Sequence, residues 1–210
     1  MNIMIKKLNL VIENVLDQLT GAERPKLYFK PQSSSAKIIE QLDQLQNKYR
    51  PTPWLANTHI HLLYFDLIRK RTIQLEYDKV DQLTMQDGGV TAVVWFGYDL
   101  PKDTPTIVLM HTITGSPESM RELVKDLNQY TGWRIALCIR RGHAKLPMPV
   151  PKINLFGSTA DLKEQIEFIQ TTFPKSDLYG VGSSAGTGLL VRYLGEEGEQ
   201  TPLKAAFALC

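Results

Sequence analysis

The apolar residues of the first nineteen positions recur at helical spacing, with Met4, Leu8, Val11, Val15 and Leu19 on one stripe and Ile5, Ile12 and Leu16 beside it. The pattern predicts an N-terminal amphipathic helix. Such a stripe suits a helix docked on a domain or one lying in a membrane surface, and composition leaves both open. Lys30 to Ser35 is polar, ends in three serines and reads as a linker, so residues 1–30 are expected to form a helix and linker ahead of the main domain. From Thr72 the rhythm becomes period two. Ile73, Leu75 and Tyr77 alternate with polar residues, Asp87-Gly88-Gly89 supplies turn chemistry, and Val90 to Trp95 completes an antiparallel strand pair.

Beyond Pro101 the apolar runs become short and continuous. Thr106 to Met110 and Arg134 to Ile139 have the composition of strands buried on both faces of a parallel sheet. Each is followed by a helical pattern: Pro117 to Tyr130 aligns Met120, Leu123, Val124 and Leu127, and a later run aligns Leu162, Ile166, Ile169 and Phe173. Ser158 is the expected N-cap of that second helix, with Asp161 three residues on. Leu178 to Gly182 reads as a strand, Gly186 to Gly195 as a helix, and Leu203 to Leu209 as a further buried strand. The fold class expected is α/β: a mostly parallel sheet with an antiparallel N-terminal strand pair and helices on both faces.

Composition narrows the function classes. The 210 residues can bury a full core, and 24 basic against 22 acidic residues give a net charge of +2, with no polybasic block to engage nucleic acid. The two cysteines are Cys138, within an apolar run, and Cys210, at the last position, so no disulfide framework is indicated and a reducing compartment is expected. Lys6, Lys7, Glu13 and Asp17 interrupt the N-terminal apolar residues, which excludes a signal-peptide core or a spanning segment there. A cytoplasmic protein is expected, with peripheral membrane association open through residues 1–19.

The candidate chemistry lies between the strand Leu178 to Gly182 and the helix after it. Gly182-Ser183-Ser184-Ala185-Gly186 fits the G-x-S-x-G nucleophile elbow, in which a sharp strand-to-helix turn lifts a serine hydroxyl above the sheet edge. The glycines flank Ser184, not Ser183. The competing reading, a glycine-rich nucleotide loop, needs a first strand of a βαβ unit and an acidic residue at the end of the next strand. Neither condition is met, and no Gly-Lys-Ser/Thr occurs. A second loop, His111-Thr-Ile-Thr-Gly-Ser116, also follows a strand and precedes a helix, so it reaches the same edge and can add a backbone donor to that of Ala185 in an oxyanion hole.

Elbow, histidine-led loop and chain order together resemble the α/β-hydrolases, and most closely the YheT-like branch of abhydrolase-domain esterases and lipases. The resemblance runs from about Tyr28 onward. Pro53-Trp-Leu-Ala-Asn-Thr-His59, Asp87-Gly-Gly89, His111 to Ser116, Arg141-Gly142 and Tyr193-Leu-Gly-Glu-Glu-Gly198 stand in that branch's order. Thr112 departs from the usual glycine of the histidine-led loop, and Ala185 and Thr187 depart from the usual elbow neighbours. The resemblance implies Ser184 as nucleophile, the N–H groups of Ala185 and Ile113 as oxyanion donors, acylglycerol or other lipid esters as substrates, and no metal or organic cofactor.

A serine nucleophile needs a base and an orienting carboxylate, which follow the serine in this chain order. After Ser184 come Glu196, Glu197 and Glu199 but no histidine, since His59, His61, His111 and His143 all lie upstream. Loop, surface or packing roles are expected for the upstream histidines. Residues 31–210 are therefore expected to be the N-terminal part of a hydrolase domain, C-terminally incomplete and inactive alone. A non-catalytic binding protein on the same scaffold is the alternative.

Overall fold

A computed structural model of the chain describes residues 2–69, 72–154 and 158–209, and within the first helix the side chains of residue 5 and of residues 7–20. The side chains of Met4 and Lys6, and the whole of Cys210, lie outside what is described. Contacts group the chain into two units, Met1–Thr72 and Ile73–Cys210.

The first unit is helical. Helix α1 (Asn2–Thr20) forms as expected, and among its described side chains Leu8, Val11, Val15 and Leu19 stand open to solvent, Leu8 at 59% and Leu19 at 74% exposure, while Leu16 is half-buried. Among the described residues no helix is long and apolar enough to cross a membrane. Asp17 bonds Lys48 and Arg50 at 3.0 and 2.7 Å, tying α1 to the segment before Pro51. Helix α2 (Ser34–Glu40) is capped by the Ser33 hydroxyl, which accepts from the Ala36 amide, and is followed by the single turn α3 (Asp43–Gln46). Asn57 caps α4 (Thr58–Tyr64), accepting from the amides of His59 and Ile60. Trp54 meets Tyr64 edge-on at 4.9 Å, so the Pro-Trp-Leu segment folds back on the helix it precedes.

The second unit is a six-stranded sheet in the order β1-β2-β4-β3-β5-β6, formed by β1 (Lys79–Thr84), β2 (Val90–Phe96), β3 (Thr106–Met110), β4 (Arg134–Ile139), β5 (Leu178–Ser183) and β6 (Leu203–Leu209). β2 runs antiparallel to both β1 and β4, and β4, β3, β5 and β6 are mutually parallel. Helices α5 (Arg121–Thr131), α6 (Ala160–Thr172) and α7 (Ala185–Glu197) connect them. One face buries Trp95, Val108, Cys138, Ile166, Leu190 and their neighbours under α6 and α7; the other buries Val94, Leu109, Leu137 and Val124 under α5. Burial pushes the Cys138 thiol up to about 12, so it stays a protonated core group.

Three expectations need correction. The period-two run Ile73 to Tyr77 is not a strand. The register puts Lys79 opposite Trp95, so residues 73–77 would face the turn at Gly97–Leu100, where β2 has already ended. Leu75 and Tyr77 instead pack on the α5 face of the sheet, and the Tyr77 hydroxyl donates to the Pro117 carbonyl at 2.7 Å. Ser158 does not cap α6; Thr159 occupies that position without a side-chain cap bond, and Asp161 turns inward to bind Arg141. β6 is not buried as a whole. Only Leu203 is, while Phe207 is 61% exposed.

Candidate functional site

Parallel pairing sets the site's location. Met110 is opposite both Cys138 and Gly182, so the ends of β3, β4 and β5 reach one sheet edge together. From there β5 turns into α7 through a single residue, Ser184, whose backbone has φ 53° and ψ −115°. A non-glycine residue in that region is strained by about 1–3 kcal/mol and persists only where its surroundings impose it. Here they do. A Cβ on Gly182 would lie 2.6 Å from the Gly186 carbonyl oxygen, and one on Gly186 would lie 2.2 Å from the Met110 carbonyl oxygen. Both glycines are required because backbone passes backbone within the turn. The Ser184 amide donates to the Leu209 carbonyl at 2.8 Å, and the Thr187 hydroxyl lies 2.7 Å from both the Leu209 and Gly182 carbonyls. Ala185 is the first residue of α7, where an amide has no partner within the helix and the helix dipole favours negative charge.

The loop after β3 is held from beneath. His111 is 1% exposed, and burial together with the Arg140 charge pushes its imidazole down to about 3. It is neutral at ordinary pH. Its Nε2 accepts the Arg140 amide at 3.2 Å, so the proton sits on Nδ1, which donates to the Thr112 carbonyl at 2.7 Å. The Arg140 guanidinium reaches that same carbonyl at 2.6 Å, and the Gly115 amide at 3.0 Å. Thr112 is not among the positive-φ residues, so the β-branched side chain fits its place. Ile113 is 37% exposed at the head of the loop.

The two histidines of the second unit, His111 and His143, are both bonded to other groups. His59 and His61 are exposed on α4 in the first unit. The ring nitrogens of His111 are both engaged, and those of His143 lie 2.8 Å from the Ile113 carbonyl and 3.2 Å from the Arg141 carbonyl. Glu196 and Glu197 sit at the far end of α7, roughly 17 Å along the axis from Ala185, bonded to Arg192 and Lys163 respectively. The described residues contain no group of three or more His, Cys, Asp and Glu able to hold a metal.

The sequence did not single out Arg140, and it offered Arg141 only as part of the Arg-Gly pair. Arg140 directly follows the apolar run Ile135 to Ile139, and a charge at the end of a buried strand is a sign that something must receive it. Arg141 is 3% exposed between Asp161, which accepts from Nε at 2.8 Å, and Asp87, which accepts from both terminal nitrogens at 2.9 Å. That pairing joins the Asp-Gly-Gly turn to the Arg-Gly pair. Arg141 and the Lys152 ammonium, together with the Gly89 amide, hold the Asp87 carboxyl well below the usual carboxylate range. A cavity of about 550 Å³ is lined by Val80, Ala92, Val94, Ile139, Glu118 and Lys145.

A protein-family profile described as alpha/beta hydrolase fold matches residues 105–210. Among curated proteins the chain is similar to the embryogenesis-associated protein EMB8 of Picea glauca, 27% identical over 84% of this chain and 40% of that one. It is also similar to the phospholipase ABHD3 of Bos taurus, 28% identical over 88% of this chain and 46% of that one. The chain thus spans less than half the length of these two relatives. Among solved structures, the Pyrococcus furiosus esterase Pf2001 superposes with a TM-score of 0.51 at 20% identity, over 66% of this chain and 52% of that one.

Proposed function

We propose, from the premise that the chain belongs to the alpha/beta hydrolase fold family, that it carries the nucleophile half of a serine hydrolase of carboxylic esters. The observation that carries this reading is Ser184: a strained residue at the apex of a strand-to-helix turn, between two glycines that the packing requires. Ser184 Oγ attacks the acyl carbonyl while a base takes its proton. The N–H groups of Ala185 and Ile113 stabilise the oxyanion, the alcohol leaves with a proton, and water then releases the acid from the acyl-enzyme. No step calls for a metal or organic cofactor.

Lipid esters, acylglycerols among them, are the proposed substrates. The similarity to the phospholipase ABHD3 supports that class. The order of the Pro-Trp-Leu, Asp-Gly-Gly, His111–Ser116 and Arg-Gly motifs supports placement in the YheT-like branch, with residues 31–210 as the N-terminal part of its catalytic domain. The rings of His111 and His143 are engaged with backbone groups, so neither is assigned as the base. The open apolar stripe of α1 supports peripheral contact with a lipid surface.

A fluorophosphonate probe tests the reading on a chain continued to the length of its relatives. Labelling lost in Ser184→Ala and kept in Ser183→Ala is the expected result. A folded, full-length protein that takes no label overturns it and leaves a binding protein on the same scaffold.

A further inference from the structure

The loop after β3 and the loop after β4 are linked by side chains that no step of the ester chemistry uses. His143 Nε2 lies 2.8 Å from the Ile113 carbonyl, and only a ring nitrogen carrying hydrogen makes that contact favourable, so Nε2–H donates. One residue earlier, the Thr112 carbonyl receives the Arg140 guanidinium at 2.6 Å and the His111 Nδ1–H at 2.7 Å. Two successive carbonyls of the loop are thus drawn toward the β4 side. The two histidine rings also lie against each other, with centroids 4.8 Å apart.

The consequence follows from peptide geometry. In a planar trans unit the C=O and N–H point in opposite directions, so fixing a carbonyl fixes the direction of the next residue's amide. Holding the Thr112 carbonyl aims the Ile113 N–H away from β4, and holding the Ile113 carbonyl does the same for Thr114. β5 and the elbow lie on the opposite side of β3 from β4, which is the direction those amides are sent.

We infer that Arg140 and His143 are positioning residues that orient the Ile113 amide as an oxyanion donor, an inference that rests on the ester-hydrolase reading above. Arg140 is 4% exposed and forms part of the core, whereas His143 stands at the surface end of the device. His143 is therefore the residue to change without threatening the fold. Its replacement leaves the Ile113 amide present but unaimed, and small misplacements of a catalytic group cost up to about a hundredfold in rate.

The test uses p-nitrophenyl ester hydrolysis by the full-length protein together with amide hydrogen exchange. His143→Ala is expected to lower kcat tenfold or more with KM little changed, and to speed exchange at Ile113, Thr114 and Gly115 while β3 and β4 stay protected. His143→Gln, whose amide can still donate to the Ile113 carbonyl, is expected to recover much of kcat. Active wild type with the same kcat and loop exchange in His143→Ala overturns the inference, as does equal loss in the Gln and Ala variants. A wild type that neither hydrolyses nor labels at Ser184 fails the ester-hydrolase reading instead, and with it the role given to this device.

Discussion

Helix α7 holds three glycines for which the packing predicts opposite effects of the same substitution. A methyl group at Gly186 would lie 2.2 Å from the Met110 carbonyl oxygen, 2.7 Å from its carbon and 2.9 Å from the His111 oxygen. Relaxed carbon–oxygen contacts are about 3.3–3.6 Å, so the overlap is about 1 Å, and every atom met is backbone. No rotamer change relieves it. Overpacking of this kind costs about 1–3 kcal/mol, and the rigid neighbours put Gly186→Ala at the upper end even after the helix propensity gained by alanine. At Gly188 and Gly195 an added Cβ meets nothing within 4 Å and the backbone φ is ordinary, so alanine stabilises each by about 0.5–1 kcal/mol. The assay is urea denaturation of the three variants followed by tryptophan fluorescence, since Trp95 is fully buried and reports the core. With an m-value of about 2 kcal/mol/M, the Gly186→Ala midpoint falls by about 1.5 M and the other two rise by about 0.3 M. A Gly186→Ala midpoint equal to wild type, or shifted in the same direction as the other two, refutes the packing argument and with it the reason for a glycine two residues after Ser184.

Replacing Asp161 with alanine leaves the buried Arg141 with a single, more exposed partner and is expected to cost on the order of 3 kcal/mol in the same titration, while Asp87→Asn costs less because that side chain is 39% exposed. His111 titrates at about 3 in the folded chain against 6.5 when unfolded. Over that interval the unfolded chain binds the extra proton, so the contribution of His111 is complete above pH 6.5 and is lost as pH falls toward 3, by up to about 1.4 kcal/mol per unit. NMR titration of the imidazole checks this directly, and protonation of the folded chain near pH 6 would contradict it.

The strands read best from sequence were those whose apolar runs have clear ends. Thr106–Met110, Arg134–Ile139 and Leu203–Leu209 form at the expected bounds, and Pro105, Gly132 and Pro202 stand just ahead of them. Where alternation was the only guide it misplaced β1: Ile73, Leu75 and Tyr77 alternate as well as a strand does, but a strand requires a partner, and the partner's length is fixed by the turn at Gly97. The elbow was legible because its two glycines answer to local geometry. Asp161 was misread for the opposite reason. A carboxylate three residues after a serine fits a helix cap on paper, and only the fold reveals a buried arginine from the loop after β4 arriving beside it. Arg140 is the same lesson at the site, since no spacing rule connects it with the Thr112 carbonyl it holds.

The bonds from the Ser184 amide and the Thr187 hydroxyl to Leu209 bear on the order in which the molecule assembles. Helix α7 can begin to form from its own sequence, and the Thr187 hydroxyl bridges it to β5 at the Gly182 carbonyl, but the group that holds the Ser184 amide belongs to neither element. The carbonyl that captures that amide lies at the far end of β6, and closing that loop has to come first. The serine's backbone geometry is therefore tied to the docking of β6, whose Leu209 carbonyl receives the Ser184 amide. Substitutions in β6 that leave every site residue untouched would then alter how firmly the serine is held in its competent backbone, so the nucleophile leans on a strand that performs no chemistry.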